Sequence, residues 1–268
     1  MPNCQQFLDT AVEAARIAGR FQRYRFASLL NVTLKGDKNL VTEVDQESER
    51  LIVGHLLKAF PDHGIVAEEG EYRQGDAPLR WIIDPLDGTT NYAHGFPWFC
   101  VSIGLESAGE LVAGVIYNPM HDELFTATKG GGAFLNGQRL HVSTRAPLQN
   151  CLLGTGFPYD CASDPANNFD NFIVFQKAAR GIRRAGAAAL DLAYVAAGRL
   201  DGFWELKLKP WDVAAGVLLV REAGGRVTTF DGTEYDIFNH RILASNGLIH
   251  EEMAAMLTIA NQGATHEA

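Results

Sequence analysis

The sequence predicts a mixed α+β and α/β fold on three observations. Apolar residues recur at helical spacing in two stretches of the first sixty residues, paired short strands with turn dipeptides fill 98–139, and strand-like and helix-like runs alternate thereafter. Residues 5–24 read as an amphipathic helix on Leu8, Val12, Ala15 and Ala18-Gly19. A second helix fits 42–60, with Thr42 as its cap and Val44, Ser48, Leu51, Ile52, Leu56 and Phe60 as its stripe. Pro61-Asp62-His63-Gly64 ends it, and 65–67 is a short strand running into Glu68-Glu69-Gly70. Hairpins follow at 101–105 with 111–117, and at 124–127 with 132–135, the second closed by Asn136-Gly137. In the second half, strands at 152–157, 181–184, 202–206, 226–230 and 242–245 are interleaved with helices near 166–180, 187–197, 211–223 and 248–260.

The 268 residues suit one large domain or two packed halves, and the change of pattern puts the division at 1–145 and 146–268. With 47% hydrophobic and 21% charged residues, a sizeable core needs no covalent staples. A formal net charge of −9 without a compensating basic cluster argues against a nucleic-acid or anionic-membrane surface. Cys4, Cys100, Cys151 and Cys161 follow no disulfide or zinc spacing and read as free thiols of a reducing compartment. No basic-then-apolar leader and no uncharged run of about 18 residues is present, so a soluble, cytoplasmic protein is expected.

The chemistry concentrates in Trp81-Ile-Ile-Asp84-Pro-Leu-Asp87-Gly-Thr-Thr90. A strand ending at Ile83 would deliver Asp84 at its tip, Pro85 would pre-set a turn, and Gly88 would allow a tight bend or a close approach to a ligand. Two carboxylates on one side of such a turn repel unless a cation lies between them. An Asx-turn is the plain structural alternative for this pair, a solvated loop for Glu68-Glu69, and a helix-dipole acid for Asp212 in Trp211-Asp212-Val-Ala-Ala-Gly216. Together, three acidic sites at element ends supply oxygen donors with no convergent His or Cys, which suits Mg²⁺ or Mn²⁺ over zinc or copper. Thr89 and Thr90 follow Gly88 where a helix could begin, and backbone N–H groups there favour phosphate.

Glu68-Glu69, Asp84-Pro-Leu-Asp87-Gly-Thr-Thr and Trp211-Asp212-Val-Ala-Ala-Gly resemble, in order and spacing, the signatures of the inositol monophosphatase family, in its bacterial branch. Lys35 with 40–45 resembles the family's mobile loop, and Arg184-Ala-Gly186 to Asp191 and Gly202-Phe-Trp-Glu205 resemble its substrate wall. The resemblance implies a layered α-β-α-β-α sandwich, usually dimeric, and a lithium-sensitive phosphomonoesterase using two or three Mg²⁺. Carried over, Glu68, Asp84 and the Leu86 carbonyl would bind one metal, and Asp84, Asp87 and Asp212 a second. Thr89, backed by Asp45, would orient the attacking water, with Glu68 reaching a third metal through water. The N–H groups of Gly88 and Thr89 would hold phosphate oxygens. Asp87, Asp212, Glu205 and the Gly186, Ala187 and Ala188 backbone would line the substrate site. Ala187 stands where animal members carry Thr, and Lys209 where they carry His; Lys209 could neutralise a second anionic group or be a solvated lysine. Arg180, Arg183 and Arg184 read as structure or dimer contact. The implied substrate is an inositol or similar polyol phosphate. Fructose-1,6-bisphosphate, histidinol phosphate and 3′-phosphoadenosine nucleotides remain alternatives, as does a regulatory docking role on the same fold.

Overall fold

In the computed structural model, which describes residues 4–26, 32–34, 40–70, 72–73, 75 and 78–263, the first helix, α1 (Cys4–Arg25), buries Phe7, Ala11, Ala15 and Ala18, with Leu8 and Val12 at the edge of that face. Two short strands, β1 (Val32–Leu34) and β2 (Leu40–Thr42), form a small antiparallel pair ahead of α2 (Glu43–Ala59). Thr42 caps α2 as the sequence suggests, and Asp45 completes a capping box by accepting from the Thr42 N–H at 2.8 Å. Lys35 lies outside the described residues.

Next come β3 (Gly64–Ala67), β4 (Tyr72–Arg73), β5 (Leu79–Asp87) and the short helix α3 (Thr89–Ala93), then β6 (Cys100–Ser107), β7 (Glu110–Asn118), β8 (Glu123–Thr128), β9 (Gly132–Leu135) and β10 (Gln138–Arg139). These strands form an eight-stranded sheet, antiparallel except for β3 beside β5. The chain continues through β11 (Leu152–Thr155), α4 (Phe169–Ala178), β12 (Gly181–Arg183), α5 (Ala188–Ala196), β13 (Gly202–Leu206), α6 (Pro210–Glu222), β14 (Arg226–Thr228), β15 (Arg241–Ser245) and α7 (His250–Gly263). Its strands make a five-stranded mixed sheet.

Alternation along β5 decides the layering. Trp81 and Ile83 point to the α1–α2 side, while Ile82 points to the core shared with α5 and α6. The five-stranded sheet closes that core from the far side with Phe203, Ile242 and Ala244, and buries Trp204 and Leu243 against α4 and α7. The result is α-β-α-β-α, and its central layer joins residues from both sides of position 145 in one apolar cluster. Each large side chain buried in these layers contributes about 1.5–3 kcal/mol of transfer free energy.

One close approach sets up the site. Gly104 and Gly114 are register partners, and a Cβ on either would fall 2.8 Å from the Ala214 side chain or 3.1 Å from the Ala215 backbone. Two adjacent strands without side chains therefore let α6 rest on the sheet, so that Asp212 in its first turn hangs over β5 and β6.

The strand carrying Asp84 does not stop at Ile83. It runs on to Asp87, with Asp84 opposite Ser102 and Asp87 opposite Cys100, two intervening residues against one. The extra residue is a bulge, placed where Pro85 has no N–H to give the ladder. In a regular strand, positions three apart face opposite sides. Here the bulge puts both carboxylates on the side of Ser102 and Cys100, toward α6, where the Ser102 hydroxyl donates to the Trp211 carbonyl at 3.2 Å.

Candidate active site

Glu68 follows β3, and its N–H donates to the Ile83 carbonyl at 3.2 Å, which sets it beside Asp84. The Glu69 N–H is held by Glu49 at 2.8 Å, fixing the same turn to α2. Asp84 Oδ1 accepts from the Leu86 N–H at 3.0 Å. Asp87 Oδ2 accepts from the Ala189 N–H at 2.8 Å, a bond across 102 residues, and from the Cys100 thiol at 3.8 Å. Asp212 Oδ2 accepts from the Lys209 N–H at 2.7 Å, so it does serve its helix start while also facing the cluster.

Asp84 and Asp87 are buried, Glu68 and Asp212 are half-buried, and the four crowd one another. Burial, followed by Glu68, Asp87 and Asp212, holds Asp84 well above the usual carboxylate range. Burial pushes Asp87 to about 7 against the Ala189 bond, and pushes Asp212 to about 7 against the Lys209 bond. Asp84 and Asp212 also lie within hydrogen-bonding reach of each other, which two carboxylates tolerate only with a shared proton or a cation between them. Among the described residues no three His, Cys, Asp or Glu side chains form a ready-made ligand shell. The donor set is nonetheless all oxygen, anionic and mutually repelling, and it fits a hard divalent cation.

The turn after the bulge is equally specified. Gly88 has φ 97°, and a Cβ there would meet the Trp98 carbonyl at 2.9 Å. It starts α3, whose first turn presents Thr89 and Thr90. The Thr89 hydroxyl lies 2.7 Å from Asp45 Oδ1 and 3.1 Å from the Leu86 carbonyl. Asp45 Oδ2 takes both the N–H and the hydroxyl of Thr42, at 2.8 and 2.5 Å. Burial raises Asp45, and these bonds oppose that rise.

The wall opposite is built from the second half. Gly186 has φ 86°, and Asn91 on α3 donates its side-chain N–H groups to the carbonyls of Ala185 at 2.9 Å, Gly186 at 3.3 Å and Trp98 at 2.8 Å. Ala187 and Ala188 pack into the core, so neither offers its methyl group to a ligand. Glu205 enters from β13 into space left by Gly156, where a Cβ would fall 2.0 Å from Glu205 Oε1. Burial, then Asp191, Asp212 and Asp87, raises Glu205 well above its ordinary value. Lys209 is exposed, and its charge eases Asp212.

Some members were given no site role of their own from sequence, although Arg184 and Asp191 bound the segment that resembles the substrate wall. Asp191 is buried, and burial followed by Asp87 raises it, with Arg184 opposing. An acid on an otherwise apolar, alanine-rich helix was the available signal. Arg184 also eases Glu205, so it bears on the site's charge. Cys100, Asn91 and Tyr159 depend on tertiary register and carried no local signal.

The inositol monophosphatase family model matches residues 3–262. The chain belongs to the inositol monophosphatase family. An inositol-1-monophosphatase from Synechocystis is 45% identical over 260 residues, covering 96% of this chain and 91% of the relative. The protein named Nus factor SuhB in Pseudomonas aeruginosa is 47% identical over 251 residues, covering 90% and 92%. The inositol monophosphatase structure from Anabaena superposes with a TM-score of 0.86 at 45% identity, covering 95% of this chain and 96% of that one. The chain is thereby a phosphoric monoester hydrolase with the mixed two-sheet fold of its relatives. No helix among the described residues is long and apolar enough to cross a membrane.

Proposed function

We propose that this enzyme is a Mg²⁺-dependent phosphatase that hydrolyses inositol monophosphate, or a similar polyol phosphate, to the alcohol and inorganic phosphate. The observation that carries the reading is the crowded oxygen cluster beside the start of α3, in which buried Asp84 and Asp87 are flanked by half-buried Glu68 and Asp212. Glu68, Asp84, Asp87, Asp212 and the Leu86 carbonyl would hold two or three Mg²⁺, or Mn²⁺ in its place. When bound, the cations supply positive charge to the phosphate ester and make water a usable nucleophile near neutral pH.

The chain's own residues supply the rest. The Thr89 hydroxyl donates a hydrogen bond to Asp45, which leaves its oxygen lone pairs free to accept from the attacking water and fix that water's direction. The Gly88 and Thr89 N–H groups point from the first turn of α3, where a phosphate oxygen is favoured. Glu205 and the Gly186–Ala188 backbone receive the alcohol's hydroxyls. Lithium sensitivity, a homodimeric state and a cytoplasmic location belong to the same reading.

The test is a panel of inositol, sugar, histidinol and 3′-nucleotide phosphates with Mg²⁺, in which the inositol ester is expected to give the highest kcat/KM. Failure on every phosphomonoester sinks the reading. Preference for fructose-1,6-bisphosphate, histidinol phosphate or a nucleotide would keep the chemistry and replace the alcohol. The name carried by the Pseudomonas relative favours a second, compatible role as a regulatory docking protein, and a stable protein complex formed by a catalytically dead variant would support it.

A further inference from the structure

We propose that Tyr159 is a specificity-determining residue whose hydroxyl donates a hydrogen bond to the alcohol half of the substrate, and that Lys207 positions it. The proposal rests on the phosphomonoesterase reading above and adds the residue that selects the alcohol.

Tyr159 lies in the 156–168 segment between β11 and α4, and that segment is laid along the end of β13. At one end, Gly156 rests directly against the Glu205 carboxylate. Just past Tyr159, Asp160 accepts from Lys207 Nζ at 2.7 and 2.9 Å, and Asp164 accepts from the same ammonium at 2.8 Å. Tyr159 is thus bracketed by contacts to two residues of one strand end, Glu205 and Lys207. Lys207 holds φ 62°, a backbone conformation that side chains disfavour, and its N–H is tied to the His240 carbonyl at 2.6 Å.

The base of the segment is closed as well. Asn168 donates to the Gly156 carbonyl at 2.7 Å and accepts from the Trp204 indole at 2.9 Å. The Phe157 ring is packed 5.3 Å from Phe169.

With both ends fixed, the Tyr159 hydroxyl faces the Thr90 side chain on α3, within the field of Glu68, Asp87 and Asp212. Burial and those carboxylates raise it to about 12, so it stays protonated and serves as a donor. The residue as a whole is 52% exposed, so the burial is confined to its hydroxyl end. A neutral donor beside Thr90, on a segment whose Gly156 rests on Glu205, suits a ring hydroxyl of a polyol. Glu205 can accept from a hydroxyl but Tyr159 can donate to one, so the two together read a polyol from both sides.

The experiment compares inositol 1-phosphate with p-nitrophenyl phosphate, whose leaving group carries no further hydroxyl, in the Mg²⁺-loaded full chain. Tyr159→Phe keeps the ring and should lower the kcat/KM ratio of the first substrate over the second by about five- to tenfold, through KM more than kcat. Lys207→Met should shift the ratio in the same direction, and Lys207→Arg, which can still bridge both acids, should restore it. An unchanged ratio in Tyr159→Phe, or an equal loss on both substrates with a rise in the inhibition constant for inorganic phosphate, overturns the assignment. A wild-type enzyme inactive on both esters overturns the functional reading instead, and the proposal falls with it.

Discussion

Two buried aspartates show how differently this fold treats a carboxylate. Asp201 is fully buried and saturated: the Ser143 hydroxyl at 2.5 Å, the Leu152 N–H at 2.7 Å and the Arg145 guanidinium at 3.0 Å all donate to it. Asp84 is as deeply buried but has one backbone donor and faces three other acids. The first is an element of structure, tying the 143–152 connection to the start of β13. The second is a carboxyl held against its own preference, and such frustration is what a bound cation would relieve. Burial alone does not mark function; burial without complementary donors does.

The sharpest way to break this contrast is Asp87→Asn. It should abolish turnover, by more than the about 10–100-fold that outer-sphere partners of a metal cost, with the fold intact by circular dichroism. A near-wild-type rate at saturating Mg²⁺ would contradict it. Asp201→Ala should do the reverse, costing about 2–4 kcal/mol in denaturant unfolding because a buried bonded charge loses its role and its donors are stranded. Its Mg²⁺ activation curve should stay in place; a displaced curve would erase the distinction.

The metal-free protein sharpens the comparison further. Asp87 and Asp212 hold protons to about pH 7 in the fold, whereas an unfolded aspartate releases its proton near pH 4. The folded state therefore binds more protons across that window, and stability falls as pH rises through it. Melting temperatures without divalent cation should decline from about pH 5 to pH 8, and Mg²⁺ should restore them chiefly at the upper end. Asp212→Asn should remove much of that slope and stabilise the metal-free protein near pH 8 by about 1–3 kcal/mol, one pKa unit being worth about 1.4 kcal/mol, while activity drops. A flat wild-type profile would show that the acids do not share the predicted strain. The smallest effect belongs to Cys100→Ala, which removes a weak donor from Asp87. We expect at most about a tenfold rise in the Mg²⁺ concentration for half-maximal rate, rescued by Cys100→Ser.

The helices, most of the hairpins and the alternating second half were legible because each rests on a local period or a turn dipeptide, and Thr42 as a cap needed no tertiary information. Asn136-Gly137 is a turn, but it joins β9 to β10, and the β8–β9 hairpin it was expected to close turns at 129–131 instead. Glu68, Asp84, Asp87 and Asp212 were legible because acids flanked by apolar runs are unusual enough to notice. The bulge was not, since the count of two intervening residues against one exists only once β6 lies beside β5. β1, β2 and β4 span two or three residues each, too short for any period, and pairing alone defines them. Tyr159 and Asn91 escaped for a related reason: each acts across the boundary between the halves, so nothing in its own neighbourhood announces a role.

The bond from the Ala189 N–H to Asp87 has a temporal consequence. Synthesis proceeds from the N-terminus, so the acids of the 84–87 bulge emerge well before the helix that steadies one of them and before Asp212, which completes the set. A nascent chain that has just released β10 carries mutually repelling carboxylates and an uncovered sheet face, with α5 and α6 still to come. Closing a contact over 102 residues is among the slower events in a chain of this size. Competence for catalysis therefore arrives only when the C-terminal half has docked, and enzyme activity becomes a late clock on folding of the whole chain.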